Sequence, residues 1–370
     1  MAPYIMYMNE PLAFHLLNCL PGCGARTIRF LVGHFGSAEA AWEAPARAWE
    51  ALGQPRLAAM AQARTGLDPE KESARLTETG IEVISFTDPQ FPSLLSEIPD
   101  APALLYVRGS FRGWNEQPLL AIVGSRKFTN YGKQVAQELA RTLSQAGYVI
   151  VSGLAFGIDA IAHEAVLEAK GTTLAILGSG IDDQSLSPQS HLRLAQEVAE
   201  NGALISELTP GSNATVGTFP ARNRIMAGLC QGIIVVEAAE GSGSLITARL
   251  ALDYNREVFS VPGSIFSPSS VGTHRLIKDG ARLVTGVQDI LEEFTSGNQP
   301  LSMPTSETVL TDLDPDEALI YQRLSQEGQH IDNLIAAVRL ETTRVSMALT
   351  RLELRGLVKN IGNMHYTRGR

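Results

Sequence analysis

The segment from residue 119 to residue 157 limits what this chain can fold into more than any other. Leu119–Val123 is an apolar run of strand length that ends in Gly124-Ser125-Arg126, and an amphipathic stretch at 131–146 follows. A second apolar run at 148–151 leads into another glycine-rich turn. Strand, glycine turn, helix and strand in this order predict a parallel sheet whose strands end in turns with exposed backbone N–H groups. Such turns suit an anion, and the planar guanidinium of Arg126 favours phosphate.

Apolar runs and amphipathic segments alternate from residue 118 to about residue 294. The runs are continuous, as in Leu174–Leu177 and Ile233–Val236, which indicates strands buried on both faces. The pattern therefore predicts an α/β fold with a doubly wound parallel sheet, in which right-handed crossovers bring the strand-to-helix loops to one edge. Strands are predicted at 119–123, 148–152, 172–177, 203–206, 232–236, 256–260 and 282–284, and helices at 131–146, 157–169, 188–200, 221–229, 244–254, 272–278 and 287–294.

Glycine-rich turns with small or charged residues follow most of these strands, which predicts an extended polar groove along that edge. A groove lined by basic side chains would suit a polyanion, and the candidates are Arg126, Lys170, Arg222 and Arg224. For Arg222 and Arg224 a second interpretation stays open, in which they pair with Asp159 or Glu237 and hold the loops together. Phe128, Phe156 and Phe219 lie in or beside the turns and could stack on bases, although core packing is the alternative for Phe219.

The sequence offers little that predicts catalysis or a metal. His163 follows Asp159 at a spacing of four on one helix face, which is more typical of a structural hydrogen bond. We find no Walker-type phosphate loop and no nucleophile elbow around the serines of the glycine turns. Cys19 and Cys23 have the spacing of two zinc ligands, but without a second pair core packing is the better interpretation. We therefore expect no catalytic residues, no metal and no cofactor.

The flanking segments predict two smaller domains. Residues 1–80 are predicted to be helical, and the Leu20–Arg26 segment (LPGCGAR) looks like a helix-hairpin-helix turn, which would point its amides at a DNA phosphate or serve only as a tight connection. Residues 81–295 form the predicted core and begin with short strands at 81–86 and 103–107. Residues 296–314 are rich in Ser, Thr, Pro and Gly and predict a linker. Residues 315–370 contain three helical segments and a hairpin, which is the pattern of a winged helix-turn-helix domain.

Composition restricts the possible partners. The chain of 370 residues has a formal charge of −9, so nucleic acid binding would require basic residues that are gathered locally. Three cysteines predict no disulfide framework and favour a reducing compartment. No stretch approaches about 20 uninterrupted apolar residues, so we expect a soluble, cytoplasmic protein with no membrane partner.

Several turns, in their order along the chain, resemble those of the DNA-processing protein A family, also called DprA or Smf. The resemblance is firm over residues 80–295 and looser in the flanking domains. The matching segments are Ala121–Arg126 (AIVGSR), Val151–Asp159 (VSGLAFGID), Leu177–Asp182 (LGSGID), Ser206-Glu207, Phe219–Ile225 (FPARNRI), Val236–Ala238 with Ser242–Leu245, and Val258–Gly263 (VFSVPG).

This resemblance implies an extended Rossmann-like core that binds single-stranded DNA, forms a homodimer and delivers the strand to the RecA recombinase during natural transformation. The family is not known to be enzymatic. The resemblance and the loop positions together predict that the strand contacts Gly124, Ser125, Arg126, Gly153, Phe156, Gly157, Lys170, Phe219, Arg222, Asn223 and Arg224.

At three places the sequence differs from the family pattern, and each difference affects the prediction of a local contact. The usual Gly-Gly-Lys/Arg-Thr is Lys170-Gly171-Thr172-Thr173, so the basic side chain has moved by two positions. The usual Tyr-Pro is Leu186-Ser187-Pro188, and Gly-Thr-Asn is Gly272-Thr273-His274.

Two other functions compete with this interpretation. One is a nucleotide hydrolase of the lysine-decarboxylase-like type, whose Pro-Gly-Gly-x-Gly-Thr loop would correspond to Glu240–Ser244, where the double glycine after proline is missing. The other is a duplex DNA regulator that uses the terminal winged helix. Its presumed recognition helix, 341–356, mixes Arg344, Arg351 and Arg355 with glutamates, which favours a partner contact or a structural role.

Overall fold

The computed structural model describes residues 8–295, 313–324, 328–338, 340–354, 357–362 and 364–368. The chain divides into two compact units, Met1–Leu301 and Ser302–Arg370. Residues 296–312, which make up most of the predicted linker, lie outside the described residues. Across the part of the chain that the structure describes, we find no helix that combines the length and apolarity needed to span a membrane.

A nine-stranded sheet organises the first unit, in the order β1-β2-β6-β5-β4-β3-β7-β8-β9. The seven strands from β3 to β9 run parallel to one another, as the continuous apolar runs predicted. The two short strands before them extend the same sheet, because β2 pairs antiparallel with β6 and β1 pairs antiparallel with β2. The strands are Glu82–Ser85 (β1), Leu104–Gly109 (β2), Leu119–Val123 (β3), Val149–Ser152 (β4), Thr173–Ile176 (β5), Gly202–Ser206 (β6), Gly232–Val235 (β7), Glu257–Ser260 (β8) and Arg282–Leu283 (β9).

Helices cover both faces of this sheet, which explains why every residue of β3, β4 and β5 is buried. The predicted helix at 188–200 begins at Leu192, after a short 3₁₀ turn at Gln189–His191. The helices of this unit are Glu10–Cys19 (α1), Ala25–Phe35 (α2), Ala38–Glu43 (α3), Ala46–Glu50 (α4), Pro55–Ala63 (α5), Pro69–Thr79 (α6), Ser93–Ser96 (α7), Asn130–Gln145 (α8), Ile158–Glu168 (α9), Leu192–Asn201 (α10), Thr218–Leu229 (α11), Gly243–Asp253 (α12), Val271–Lys278 (α13) and Val287–Thr295 (α14).

The order of the strands reverses at β3. From β3 the chain adds β4, β5 and β6 on one side, and it then crosses to add β7, β8 and β9 on the other. The carboxyl ends of β3 and β7 are therefore neighbours, with Val123 opposite Val235. Ligands of doubly wound sheets bind beside such a reversal, outside the carboxyl ends of the strands.

The N-terminal helices share a hydrophobic core with one face of the sheet. Phe14, Leu17 and Leu31 pack in the same buried cluster as Leu104 and Tyr106 of β2. The hairpin at 20–26 joins α1 to α2, and no side chain caps the start of α2 at Gly24. The predicted domain boundary at residue 80 stays a prediction.

The second unit is a winged helix, as the sequence predicted. Its helices are Pro315–Arg323 (α15), Ile331–Val338 (α16) and Thr342–Leu354 (α17), and its strands are Gln329–His330 (β10), Val358–Gly362 (β11) and His365–Arg368 (β12). The strands form an antiparallel sheet in the order β10-β12-β11. Ile320, Leu334, Val345 and Leu349 pack between the helices as the core of this unit.

Candidate nucleic-acid interface

The turns after β3 and β4 are in direct backbone contact at the carboxyl edge of the sheet. The amide of Ile158 donates to the carbonyl oxygen of Ser125 at 3.3 Å. A Cβ atom on Gly124 would lie 2.7 Å from Cγ1 of Ile158, and Gly157 has a φ of +85° and faces the Ser125 carbonyl. Glycine is therefore required at both positions by the packing of one loop on the other.

Arg222 lies beneath these turns rather than on the surface. Its side chain is 6% exposed, and Nη1 donates to the carbonyl oxygens of Gly153, at 2.8 Å, and Ile176. Nε donates to Oδ1 of Asn223 at 3.2 Å. The sequence left two interpretations of Arg222 open. The structure agrees with the one in which Arg222 holds the loops together, because its donors are engaged inside the protein.

Asp159 supplies the charge that accompanies Arg222. Its Oδ2 accepts from the amide of Gly153 at 3.1 Å. Burial raises the pKa of Asp159, and the nearby guanidinium of Arg222 opposes that rise. Burial lowers the pKa of Arg222, whereas Asp159 raises it. The two buried groups have opposite charges that favour one another, and their hydrogen bonds to the amide and carbonyl of Gly153 fix the turn after β4.

Arg126 is exposed above these buried groups, and Phe219 beside it is partly exposed. The Cζ atom of Arg126 lies 5.5 Å from the centroid of the Phe219 ring, which is a cation–π contact. Lys127 is exposed next to Arg126, and Oγ of Ser125 is occupied within its own turn, where it donates to the Lys127 carbonyl oxygen at 2.6 Å. The exposed cations of this edge therefore come from the turn after β3.

Phe156 forms a second exposed aromatic position. Its side chain is 50% exposed, and its ring packs edge-on against His191, with 4.7 Å between centroids. Nδ1 of His191 lies 2.9 Å from the carbonyl oxygen of Leu154, which fixes the imidazole beside the turn. The sequence analysis did not identify His191 as a site residue, because it predicted a helix over 188–200 that would include it. In the structure that helix begins at Leu192, and His191 belongs to the turn before it. We call the exposed residues Arg126 and Phe156, together with the partly exposed Ser125, His191 and Phe219 beside them, the edge surface.

Two predicted contacts lie elsewhere. Lys170 follows the C-terminus of α9 and leads into β5, so it is at the opposite edge of the sheet from Arg126. Arg224 is two residues from Arg222 on α11 and points to another side of that helix, where it pairs with Glu207 and lies 3.6 Å from Asp100. Arg224 thereby lines a cleft of about 780 Å³ between the 20–26 hairpin and the turn after β6.

The crevice at the strand reversal is occupied by a carboxylate. Glu237 is 3% exposed, and its Oε2 accepts from the amide of Thr129 at 2.9 Å, at the start of α8. Gly132 leaves room for this carboxylate, since a Cβ there would collide with it. A buried acidic side chain at this position disfavours a phosphate in the crevice itself, and the exposed cations lie to the β4 side of it.

Fold and edge together define an α/β protein with an extended doubly wound sheet and a winged-helix domain, in which exposed cations and aromatic rings gather at the carboxyl edge. The family model of the DNA recombination-mediator protein A matches residues 82–295, and that of the DprA winged helix domain matches residues 304–362. The chain belongs to this family, DprA/Smf, as the sequence resemblance predicted.

Individual relatives agree with this assignment. The DNA processing protein DprA of Bacillus subtilis is 42% identical over 231 residues, which cover 62% of this chain and 77% of the relative. Protein Smf of Synechocystis is 32% identical over 94% of this chain and 96% of its own length.

Two solved structures resemble the fold. The X-ray structure of DprA from Streptococcus pneumoniae has a TM-score of 0.66 and 35% identity, over 78% of this chain and 99% of that one. DprA from Helicobacter pylori has a TM-score of 0.52 and 31% identity, over 58% of this chain and 96% of that one. The Helicobacter structure is described as revealing a unique single-stranded DNA binding mode.

Proposed function

We propose that this protein binds single-stranded DNA along the edge surface. The observation that carries the proposal is the pairing of exposed Arg126 with the Phe219 ring, close to the half-exposed ring of Phe156. Proteins that hold single strands combine cations that follow the phosphates with aromatic rings on which bases stack. The single-stranded DNA binding of the Helicobacter relative supports the same ligand for this chain.

The remaining predicted residues divide by their position. Gly124, Gly153, Gly157, Arg222 and Asn223 form the wall under the edge surface, and in this proposal they position Arg126 and Phe156 without contacting the strand through their side chains. Lys170 and Arg224 lie away from the edge surface, and the proposal assigns them no contact with the strand there.

Family membership supports a wider role. In this role the protein is a cytoplasmic homodimer that protects incoming single strands and loads RecA on them in natural transformation and recombination. It acts by binding, without a catalytic step. The buried carboxylate of Glu237 in the crevice of the strand reversal favours this role over that of a nucleotide hydrolase, which would place a phosphate there.

The winged helix is proposed to contact protein rather than to read duplex DNA. Arg344 on α17 donates through Nε and Nη2 to the carboxylate of Asp316, at 2.8 and 2.7 Å. Nη1 of Arg351 lies 3.6 Å from Oδ2 of Asp314. Both described arginines of the presumed recognition helix therefore face carboxylates at the start of α15, and Arg355 lies outside the described residues.

A fluorescence anisotropy titration tests the proposal. A labelled oligothymidine and the matching duplex are titrated with the full-length chain at two salt concentrations. We expect tight binding of the single strand that weakens steeply with salt, and weak binding of the duplex. Equal affinity for both forms, or release of a base from a nucleoside monophosphate, would contradict the proposal.

A further inference from the structure

Three potential metal ligands meet between the N-terminal helices. His15 and Cys19 are four residues apart on α1 and so share one helix face, and Glu72 comes from α6. One ligand atom from each lies within 4.8 Å of the other two, and among the described residues this is the one group of three His, Cys, Asp or Glu side chains that does so. From the sequence we considered only Cys23 as a second ligand beside Cys19 and favoured core packing for both, whereas the fold places Cys19 with His15 and Glu72.

The imidazole of His15 is held by a second layer of hydrogen bonds. It is 1% exposed, and Nδ1 lies 2.8 Å from the hydroxyl of Tyr106, which is wholly buried. Asn18 Nδ2 donates to the same hydroxyl at 3.3 Å. These contacts fix the ring so that Nε2 faces Glu72, at 3.1 Å from Oε2. A histidine whose other nitrogen is fixed in this way is the usual form of a metal ligand.

Two of the three ligand separations are close to those of a tetrahedral site, and the third, from Cys19 Sγ to the Glu72 carboxylate, is within 4.8 Å. Bond lengths to zinc of about 2.0–2.3 Å imply about 3.4 Å between nitrogen and oxygen ligands and about 3.6 Å between nitrogen and sulfur. The observed distances are 3.1 Å from Nε2 to Glu72 Oε2 and 3.6 Å from Nε2 to Cys19 Sγ. Sγ also lies 3.8 Å from Nδ1, so the thiol is beside the ring and must turn about χ1 to face Nε2. Cys19 is the last residue of α1 and partly exposed, which leaves room for that rotation.

We infer that His15 Nε2, Cys19 Sγ and a Glu72 carboxylate oxygen bind one divalent ion of the borderline-soft class, Zn²⁺, with water in the fourth position. Nitrogen, sulfur and oxygen donors in tetrahedral arrangement select zinc among the common divalent ions. The partial exposure of Cys19 and Glu72 provides the route for the ion and the water. The bound ion would join α1 to α6 and so clamp the two ends of the N-terminal helical segment.

The protonation of the ligands determines how many protons are released when the zinc ion binds. A histidine or cysteine that binds a metal must be a neutral imidazole or a thiolate, and a cysteine without a metal ordinarily carries its thiol proton at pH 7. The ion displaces that proton and leaves a thiolate, while the proton on Nε2 of His15 is exchanged for one on Nδ1, facing Tyr106. The two anions balance the ion, and one proton is released, although Arg75, 4.0 Å from Glu72, opposes binding.

Cobalt substitution tests the site in the full-length chain. Protein freed of metal by a chelator is titrated with Co²⁺, whose thiolate complexes absorb in the near ultraviolet, and Zn²⁺ is then added to displace it. We expect one ion per chain, loss of the thiolate absorption in Cys19→Ser, and binding at least about tenfold weaker in Glu72→Gln. Cys23→Ser is the matched control, because Cys23 is a buried thiol four residues from Cys19 and outside the cluster, and the absorption of this variant should be unchanged.

A second experiment measures the proton that metal binding releases. At neutral pH, addition of Zn²⁺ to unbuffered protein should release about one proton per ion from the wild type and none from Cys19→Ser. Absence of thiolate absorption in the wild type, or its persistence in Cys19→Ser, would overturn the inference. If Cys19→Ser does not fold, Glu72→Gln decides alone, and unchanged affinity in that variant counts against the site.

Discussion

The guanidinium of Arg126 lies over the ring of Phe219, with Cζ 5.5 Å from the ring centroid. The two side chains come from segments that are far apart in the sequence, the turn after β3 and the first turn of α11. Their contact places a cation and an aromatic face next to each other at the solvent. A nucleotide bound there would meet a partner for its phosphate and a partner for its base.

Replacing Arg126 by alanine should weaken single-strand binding about tenfold or more, because a charge-assisted contact to phosphate contributes about 1.5–3 kcal/mol. The slope of log affinity against log salt should also fall by about 0.7, the value for one phosphate contact on a single strand. Anisotropy titrations over a range of salt measure both. Arg193→Ala, which removes another exposed arginine, is the control and should keep the wild-type slope.

Replacing Phe156 by alanine should reduce binding by about 1–3 kcal/mol through loss of a stacked base. The salt slope should stay at the wild-type value, since no charge is removed. Phe156→Trp should restore affinity because it keeps an aromatic face. If the alanine variant binds as tightly as the wild type while folding normally, the edge surface does not extend to the turn after β4.

Replacing Lys170 by alanine should leave single-strand affinity unchanged within about twofold. The side chain lies one helix length of α9 from the edge surface, about 16 Å for 11 residues, at the amino end of β5. The same titration decides this point. A loss comparable to that of Arg126→Ala would show that the strand passes around the sheet.

Replacing Arg222 by alanine should destabilise the fold. The sequence predicted that Arg222 contacts the strand, but its side chain is buried and donates to two backbone carbonyl oxygens, with the charge of Asp159 nearby. Its removal leaves two buried carbonyl oxygens without this donor, which costs about 1–3 kcal/mol for each group left unsatisfied. Urea denaturation should show the lower midpoint, with exposed Arg126→Ala as the control that keeps the wild-type midpoint.

Acid should destabilise the protein through His163. Its Nδ1 lies 2.7 Å from Oγ1 of Thr173, whose own hydroxyl donates to the Ile150 carbonyl, so Nδ1 carries the proton. Nε2 is buried and has no partner among the described residues. Burial, with a smaller contribution from the charge of Arg222, lowers the pKa of His163 to about 3 from its usual 6.5.

The native state therefore keeps His163 neutral while the unfolded state takes up a proton below pH 6.5. Its contribution to stability is complete above about pH 6.5 and is lost as the pH falls towards 3, at about 1.4 kcal/mol per pH unit. Unfolding free energies measured in urea at pH 7, 6 and 5 should show this slope. In His163→Gln the slope should be smaller by about 1.4 kcal/mol per pH unit, which corresponds to the uptake of one proton fewer on unfolding. The exposed His34→Gln should keep the wild-type slope.

The hydrophobic pattern of the sequence determined the secondary structure of the core and its layered arrangement. Runs such as Leu119–Val123 and Val149–Ser152 can only be buried on both faces, so strands, helices and parallel pairing followed from local periodicity. The glycine turns also followed, because they occur where each strand ends. The same local signals placed three helices and a hairpin in the winged-helix segment.

Tertiary packing decided which side chains share a surface. Arg126, Lys170, Arg222 and Arg224 look equivalent in the sequence, yet the fold exposes Arg126 at one edge, places Lys170 at the other, buries Arg222 and pairs Arg224 with Glu207. The antiparallel addition of β1 and β2, and the meeting of His15 and Cys19 with Glu72, likewise have no local signature. A side chain's environment is set by residues distant in the chain that crossovers and helix packing bring beside it, and those contacts exist only once the sheet has closed.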